Sequence, residues 1–267
     1  MEAQAIQEIK RLALAAEGKR DLGTHRPALV IDGSVVDIEH LQAGRSRFRG
    51  KFNTNVLSEY VNYIGAHENQ AGACFVDADS MTSTTFLNLG DDEDPGHADW
   101  TAKLKLAPTA GYEAVQTING RPQSQRDLVE WVEDWAPYLT AESNGESITT
   151  TQAITSLRQL TIEQIKKSTH EDRDFGAART AMEDIEARAN GQMPTHFLFT
   201  VVPYLGFRQR TLRLRISVLS SDDRRPALSL RIVGYEQLVE DLAVEFKELL
   251  IDNIGDAASV AIGTFSP

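Results

Sequence analysis

Apolar side chains recur every three or four residues in several stretches of the chain, which is the spacing of an amphipathic helix. The clearest stretch is SQRDLVEWVEDWAP, where Leu128, Trp131 and Val132 share one face. Ser124 stands in a capping position ahead of this face, and Pro137 ends it. The other predicted helices are residues 2–17, a segment capped by Asn53 or Thr54 that continues to Ile64, and a segment from Tyr235 onward with Leu238, Leu242, Phe246 and Leu249 on one face.

Two further helical signals follow the clearest stretch along the chain. Thr161 and Gln164 form a capping pattern ahead of Ile165. An apolar seam then runs from Phe175 to Ala189 and is closed by Asn190-Gly191. Such a seam packs either within its own chain or against a second chain.

Apolar and polar residues alternate elsewhere, as they do in half-buried strands. ALVI and SVVDI are joined by Asp32-Gly33, a dipeptide that accepts the positive φ angles of a hairpin turn. RSRFRGKF follows as another extended segment. Two groups of three strands are also predicted, namely ACFVD, STTFLNL and WTAKLKL, and later HFLFTVVPYL, RTLRLRISVL and ALSLRIV.

Strands, helices and strands thus follow one another in blocks and not in strict alternation. This order predicts an α+β fold with mainly antiparallel sheets, a central helical segment and a C-terminal amphipathic helix. Residues 1–22 are predicted to be an N-terminal helical arm, and residues 23–267 a single α+β domain.

The composition limits the classes of protein to which the chain can belong. It has 267 residues, 41% of them hydrophobic, and a formal net charge of -12. Its apolar runs fall short of the roughly 18 to 20 residues that cross a bilayer, so we expect no membrane span and no signal peptide. Cys74 is the only cysteine, which excludes a disulfide, a thiolate zinc site or an iron–sulfur cluster within one chain. These features predict a soluble cytoplasmic protein.

Four runs of the chain carry a resemblance to a known family. They are KFNTNVLSEYVNYI, CFVDADSMTSTTFLNLGDDEDPGHADWTAKLKLAPTAGYEAV, QSQRDLVEWVEDWAPYL and PTHFLFTVVPYLGFRQRTLRLRISVLSSDDRRPALSLRIV. In their order and content they resemble the YfdQ-like family of phage and prophage proteins, which has no established activity. The resemblance implies a phage-encoded or prophage-encoded protein in the cytoplasm of a bacterial host. It also implies a gene near those for recombination and replication.

Carboxylates crowd the stretch DADSMTSTTFLNLGDDEDPGHAD, which makes it the best candidate for a metal site. Asp77 and Asp79 end a predicted strand, and Mg²⁺ or Ca²⁺ prefers such oxygen ligands. The loop that begins at Asp91 does not fit an EF-hand, because Pro95 takes its fifth position and Ala102 stands where the bidentate glutamate belongs. The alternative interpretation is a solvated turn.

The sequence contains no other catalytic pattern that we can identify. The histidines never stand at the helical spacing of a zinc site, and no serine lies in a G-x-S-x-G elbow. Neither glycine-rich phosphate-binding motif occurs. Cys74 lies inside the apolar run ACF and is predicted to be a buried structural thiol. We therefore expect no cofactor and no catalysis by a recognisable route.

Cations recur at short intervals in two stretches of this acidic chain. A strand over RSRFRGKF would place its cations on one face and its two phenylalanines, as core anchors, on the other. In GFRQRTLRLR the arginines divide between the two faces, and leucines lie opposite the second pair. The cations are Arg45, Arg47, Arg49 and Lys51 in the first stretch, and Arg208, Arg210, Arg213 and Arg215 in the second.

Three uses of these cations are open. They are solvent faces that protect strand edges, contacts between copies of the chain, or contacts to nucleic-acid phosphates. The net charge of -12 opposes approach to DNA, whereas acidic and basic patches on one chain suit association. We therefore expect a non-catalytic homo-oligomer, a ring or closed shell, in which the cations meet acidic surfaces such as the Asp91–Asp94 loop.

The alternative is a nucleic-acid-binding accessory protein of phage recombination or replication that uses the same eight cations. A metal-dependent enzyme that uses Asp77 and Asp79 is the third hypothesis.

Overall fold

The computed structural model describes residues 2–17, 28–31, 34–67, 72–143, 145–159, 193–221 and 224–267. Within these residues the α-helices are α1 (Glu2–Glu17), α2 (Leu57–Ala66), α3 (Ala110–Ile118), α4 (Gln125–Asp134), α5 (Thr150–Gln159) and α6 (Tyr235–Ile254). The strands are β1 (Ala28–Ile31), β2 (Ser34–Asp37), β3 (Gly50–Thr54), β4 (Ala73–Asp77), β5 (Thr82–Phe86), β6 (Trp100–Lys105), β7 (Leu139–Ser143), β8 (Glu146–Ile148), β9 (His196–Val201), β10 (Arg210–Ser221), β11 (Arg224–Ile232) and β12 (Ser259–Ile262).

The first sheet has the strand order β12-β4-β5-β6-β3. Its centre, β4-β5-β6, is the antiparallel meander that alternation predicts, and this expectation is confirmed. The edge strands β3 and β12 pair in parallel with their neighbours β6 and β4. The short strand β12 was not predicted from the sequence.

The second sheet has the order β11-β10-β9-β7-β8 and is antiparallel throughout. It contains the three predicted strands of the second half of the chain. The hairpin β7–β8, which encloses Gly145, was not predicted although Asn144-Gly145 is a strong turn signal. A separate hairpin joins β1 to β2, as expected.

One apolar core connects the two sheets. Helices α2 and α6 cover one face of the first sheet, while α3, α4 and α5 contact strands of the second sheet or each other. Large side chains such as Tyr60, Phe197, Phe199 and Phe246 are fully buried there. Each contributes about 1.5–3 kcal/mol through removal of its surface from water. The α+β class, with mainly antiparallel sheets and a C-terminal amphipathic helix, is thus confirmed.

Local capping explains where the central helices begin. The Ser124 hydroxyl accepts a hydrogen bond from the Asp127 amide at 3.1 Å, which confirms the predicted cap of α4. Thr109 caps α3 in the same way, accepting from the Tyr112 amide at 3.3 Å. Neither α3 nor α5 was predicted from the sequence.

Two expectations about residues 45–57 are wrong. The extended segment begins only at Gly50, because residues 45–49 form bends without ladder hydrogen bonds. Asn53 and Thr54 do not cap α2, since both belong to β3 and the helix begins at Leu57. The Thr54 hydroxyl instead accepts a hydrogen bond from the Val56 amide at 3.1 Å.

Some predictions concern residues that the structure does not describe. The capping pattern at Thr161 and Gln164 and the seam that ends at Asn190-Gly191 lie outside the described residues. The N-terminal helix is confirmed as α1, and its role as a separate arm stays a prediction. Among the described helices, none is long and apolar enough to span a membrane.

Candidate interaction surfaces

Residues 45–52, which we call the first arginine segment, are bound to carboxylates of their own chain. The two terminal nitrogens of Arg47 donate to Asp99 Oδ1 and Oδ2, each at 2.5 Å. Arg49 donates to both carboxylate oxygens of Glu39. Glu39 begins a short 3-10 helix after β2 and Asp99 lies directly before β6, so the fold brings both acids to the arginines from other parts of the chain.

The two acids are held ionised by these contacts. Glu39 is only 7% exposed, and the Ser46 amide and hydroxyl also donate to its Oε1, at 2.9 and 2.5 Å. Arg49 first, and Ser46 next, hold the pKa of Glu39 well below its usual range. Arg47 does the same for the pKa of Asp99. Arg47 and Arg49 are therefore not free to bind an external anion.

The phenylalanines of the first arginine segment also differ from each other. Phe52 packs against the core, and its ring stacks on Tyr63 with centroids 4.3 Å apart. Phe48 is 58% exposed, and its ring contacts that of Trp100 in a tilted arrangement with the centroids 4.5 Å apart. Phe48 is not a core anchor, contrary to expectation, because its part of the segment is not a strand.

Arg45 and Lys51 remain at the surface. Arg45 is exposed and donates from Nη1 to the Arg49 carbonyl oxygen at 3.0 Å. Lys51 is exposed on β3, on the face of the first sheet that lies away from α2. The structure thus divides the four predicted cations into two that pair with carboxylates and two that have no carboxylate partner among the residues it describes.

Residues 208–215, the second arginine segment, lie on two opposite faces of β10. Arg210 points to the core side, where Nη2 lies 2.6 Å from Glu245 Oε2 of α6. Arg208 precedes the strand, and its amide donates to Glu245 Oε1 at 2.6 Å. Arg213 and Arg215 point to the other side, and Leu212 and Leu214 are buried opposite them, as alternation predicts.

Arg213, Arg215 and Arg231 together form a surface that we call the arginine face. The ladder places Arg215 directly opposite Arg231 on β11. Arg213 is 51% exposed, and its Nη2 lies 3.4 Å from Glu142 Oε2 on β7. Within the described part of the chain, Arg215 and Arg231 have no carboxylate partner. Sequence reasoning missed Arg231, although it occupies an alternate position in the predicted strand ALSLRIV.

His196 on β9 borders the arginine face, opposite Arg215 in the ladder. Burial lowers the pKa of His196, and the positive charges of Arg213 and Arg215 lower it further, while Glu142 opposes them. The histidine is therefore kept neutral beside the guanidinium groups, and it adds no repulsion to them at neutral pH.

The exposed side of α6 carries the opposite charge. Its carboxylates stand four residues apart along one line, with Val244 in the middle of the line. All of these carboxylates are exposed. We call this line the acidic ridge, and its members are Glu236, Glu240, Glu248 and Asp252. The spacing of apolar residues predicted the buried face of this helix, whereas the charged face was not predicted.

The two predicted metal ligands lie in a tight turn. Asp77 Oδ1 accepts from the Asp79 amide at 3.0 Å, and Oδ2 accepts from the Ser80 hydroxyl at 2.6 Å. The Ser80 hydroxyl bond, first of all, lowers the pKa of Asp77. Among the described residues, no three His, Cys, Asp or Glu side chains lie close enough together to hold a metal ion. The metal hypothesis stays a prediction.

The Asp91–Asp94 loop is closed by its own side chains. Asp91 Oδ1 accepts from the amides of Glu93 and Asp94, at 2.9 and 2.7 Å. Gly90 has a φ of 75°, and a Cβ there would lie 2.2 Å from the Asp94 carbonyl oxygen. The turn therefore requires glycine at this position.

Cys74 is fully buried, as predicted. Its sulfur lies 3.6 Å from the Tyr60 hydroxyl, which in turn lies 2.6 Å from Thr85 Oγ1. Burial raises the pKa of both Cys74 and Tyr60. The thiol is thus neutral, enclosed and part of a buried polar cluster.

The chain belongs to a family described as "Uncharacterized conserved protein (DUF2303)", whose model matches residues 1–265. No curated protein and no solved structure matches the chain. The family match covers both sheets and all described helices, and its description assigns no activity.

Proposed function

We propose that the protein is a non-catalytic, self-associating protein of phage or prophage type. In this proposal the arginine face of one copy binds the acidic ridge of another. The loop that the sequence suggested as the acidic partner, Asp91–Asp94, is replaced by α6 because the loop carboxylate of Asp91 is already used by its own turn.

The observation that carries the proposal is the pairing of Arg215 with Arg231. Like charges directly opposite one another destabilise an antiparallel pair. The first arginine segment shows that this chain does supply carboxylates to arginines that it neutralises. Among the described residues no carboxylate pairs with Arg215 or Arg231, which supports an anionic partner for these two side chains.

The acidic ridge is a suitable partner by charge and by geometry. Carboxylates spaced four residues apart on a helix repel one another, by about 0.2–0.5 kcal/mol for each pair. Within one copy, α6 contacts β10 through Arg210, on the face opposite to Arg213 and Arg215. The arginine face therefore cannot reach the ridge of its own chain, and the two surfaces can meet only between copies.

An interface between two different surfaces is heterologous. Such contacts close into rings when the rotation between subunits permits, and otherwise form filaments. We infer a ring or closed shell, in agreement with the expectation from the sequence.

Mass measurement in solution at low and high salt tests the proposal. The Debye length is about 30 Å at 0.01 M salt and about 3 Å at 1 M, so the oligomer should dissociate as salt rises. A monomer at every protein concentration in low salt contradicts self-association.

Charge reversal identifies the two surfaces. R215E/R231E removes the basic surface and E240K/E248K removes the acidic one, so each variant alone should be monomeric. In their mixture the ridge of the first variant meets the arginine face of the second, and the two reversed surfaces are again of opposite charge, so the mixture should assemble although neither variant does so alone. R121E, at an exposed arginine between α3 and α4, is the matched control and should assemble like the wild type. Full assembly of either double variant would disprove this interface.

The proposed origin rests on the resemblance of four runs to the YfdQ-like family of phage and prophage proteins. The same resemblance supports a location in the cytoplasm of a bacterial host. Detection of the protein in the cytoplasmic fraction of a host that carries the gene tests this part of the proposal.

A nucleic-acid-binding accessory protein in phage recombination or replication is the second candidate. The structure divides the eight predicted cations between the end of the first sheet, the contact with α6 and the arginine face. The position of Lys51 favours this candidate. Lys51 shares an exposed face of the first sheet with two other lysines, Lys103 and Lys105.

A further inference from the structure

The first sheet has one face that no described helix covers. Helices α2 and α6 contact its strands from one side, where Cys74, Ala102 and Leu104 are buried. The alternate residues of each strand point to the other side. We call this side the open face.

Strand register places three lysines on two adjacent strands, β3 and β6, along one edge of the open face. Lys103 and Lys105 alternate along β6, and both are exposed. Lys51 on the neighbouring strand β3 lies opposite Thr101, two residues before Lys103. Lys51 is therefore offset from Lys103 by one strand spacing, about 4.8 Å, across the sheet and by one two-residue repeat, about 6.6 Å, along it. The same two-residue repeat separates Lys103 from Lys105.

One carboxylate of this sheet acts on the lysines, since the charge of Lys103, after the hydrogen bonds from Ser80 and Asp79, helps to lower the pKa of Asp77. Asp77 is the only carboxylate in the five strands of this sheet, and it lies two strands away from Lys105, across Thr82. Its oxygens are occupied by the turn at Asp79 and Ser80. None of the three lysines forms an ion pair with a described residue.

Aromatic rings occupy the next two strands of the open face, β5 and β4. Phe75 on β4 and Phe86 on β5 lie with their ring centroids 6.0 Å apart. Phe265, from the segment after β12, stacks on Phe75 at 5.1 Å with an interplanar angle of 13°. Phe265 is 42% exposed, so one face of a three-ring cluster is open to solvent.

We propose that the open face binds single-stranded nucleic acid. The three lysines contact phosphates, and the exposed ring of Phe265 stacks on a base. Lysines and accessible aromatic rings on one surface are the two elements that single strands require, since phosphates provide charge and every base has a flat face for stacking. Carboxylates of a second copy would pair with the lysines alone, whereas a single strand engages both the lysines and the exposed ring of Phe265. In the described part of the chain, the open face also presents no helix or ribbon that could enter the major groove of a duplex.

This inference deepens the second candidate function and is independent of self-association. It replaces the arginine set chosen from the sequence by a surface to which only Lys51 of that set contributes. It uses neither the arginine face nor the acidic ridge, so its failure leaves the proposed interface between copies untouched.

Binding of a fluorescently labelled thymidine oligonucleotide, followed by anisotropy at several salt concentrations, tests the proposal. Each phosphate contact of a single strand adds about 0.7 to the slope of log K against log salt. K51A/K103A/K105A should therefore flatten the slope by about two. The matched control K10A/K247A removes lysines from α1 and α6 and should leave the slope unchanged.

Phe265→Ala separates stacking from charge. Removal of a stacking ring should weaken oligonucleotide binding on the order of ten-fold. The same variant should bind inorganic polyphosphate as the wild type does, because polyphosphate has no bases. Phe48→Ala, at an exposed ring outside the open face, is the control for loss of any surface aromatic.

Several outcomes would overturn the proposal. These are absence of oligonucleotide binding by the wild type, binding that the lysine substitutions do not weaken, equal loss of oligonucleotide and polyphosphate binding in Phe265→Ala, and a duplex bound as tightly as the single strand. A lysine variant that changes the mass in solution and not oligonucleotide binding would make the open face an interface between copies. Thermal unfolding of each variant confirms that it is folded.

Discussion

In the first arginine segment, Arg47 and Arg49 each lie against a carboxylate of the same chain, whereas on the arginine face Arg215 lies against another arginine. The two regions have similar composition and a similar spacing of cations. They differ in what the rest of the fold brings to them. The short 3-10 helix after β2 and the loop before β6 bring Glu39 and Asp99 to the first region, whereas in the described part of the chain Glu142 is the one carboxylate paired with the second.

This difference separates a structural role from a binding role. Guanidinium groups that are 16% and 19% exposed must be paired, because an uncompensated buried charge is costly. Arginines on the solvent-exposed face of the second sheet keep their hydration and need no partner for folding. The first pair of arginines therefore suits a role in stability, and recognition is the role that we propose for the arginine face.

Acidification should have the largest effect on the first region. Glu39 and Asp99 have folded-state pKa values below their ordinary values of 4.5 and 3.8, so the stability they contribute is present above those values and is lost as pH falls below them. The free energy of unfolding of the wild type, measured in urea, should therefore fall steeply below about pH 4.

E39Q/D99N is the variant that checks this assignment. Its amides cannot titrate, so it should start with lower stability at neutral pH and then lose less than the wild type on acidification. If the free energy of unfolding falls equally with pH in the variant and the wild type, these ion pairs do not contribute to the acid sensitivity of the fold.

The next largest effect should be the difference in free energy of unfolding between single arginine substitutions in the two regions. Arg47→Ala removes a two-point contact to Asp99 and should lower the free energy of unfolding by roughly 1–3 kcal/mol. Arg215→Ala should change it by no more than about 0.5 kcal/mol. Urea denaturation of both variants at the same low protein concentration measures the two values. Equal losses would erase the distinction between the regions.

The sequence alone predicts the elements that local signals specify. Ser124 and the apolar face of α4, the hairpin β1–β2 and the antiparallel strands β4, β5 and β6 all follow from spacing or turn chemistry. The partners of the arginines do not. Arg47 lies 52 residues from Asp99, and no local rule connects residues that far apart.

The same reason explains the missed features of the candidate surfaces. Arg231 and Arg215 are neighbours only because two strands pair in one particular register. Lys51 joins Lys103 because β3 pairs in parallel with β6, which the predicted strand over residues 45–52 did not suggest. The acidic ridge, by contrast, was visible as a four-residue repeat in the sequence, and only attention to the apolar face concealed it.

A smaller effect compares the two faces of one strand. Arg210 is 25% exposed and lies 2.6 Å from Glu245, so Arg210→Ala should lower the free energy of unfolding by about 1 kcal/mol. Arg213→Ala, three residues along β10, removes a longer and more exposed contact and should have less than half that effect. Urea denaturation ranks the two. The reverse order would mean that the outer face of β10 stabilises the fold.

The smallest effect should be a gain in stability. Arg215→Thr or Arg231→Thr removes a like-charge pair across the ladder and should raise the free energy of unfolding by about 0.2–0.5 kcal/mol. The double variant should gain less than the sum of the two single variants, because either substitution alone removes the repulsion. At about 1 M salt the non-additive part should vanish, since the Debye length is then about 3 Å. Additive gains at every salt concentration would show that the two guanidinium groups do not interact. A non-additive gain in fold stability together with weaker association would mean that the chain retains this repulsion for the sake of a partner.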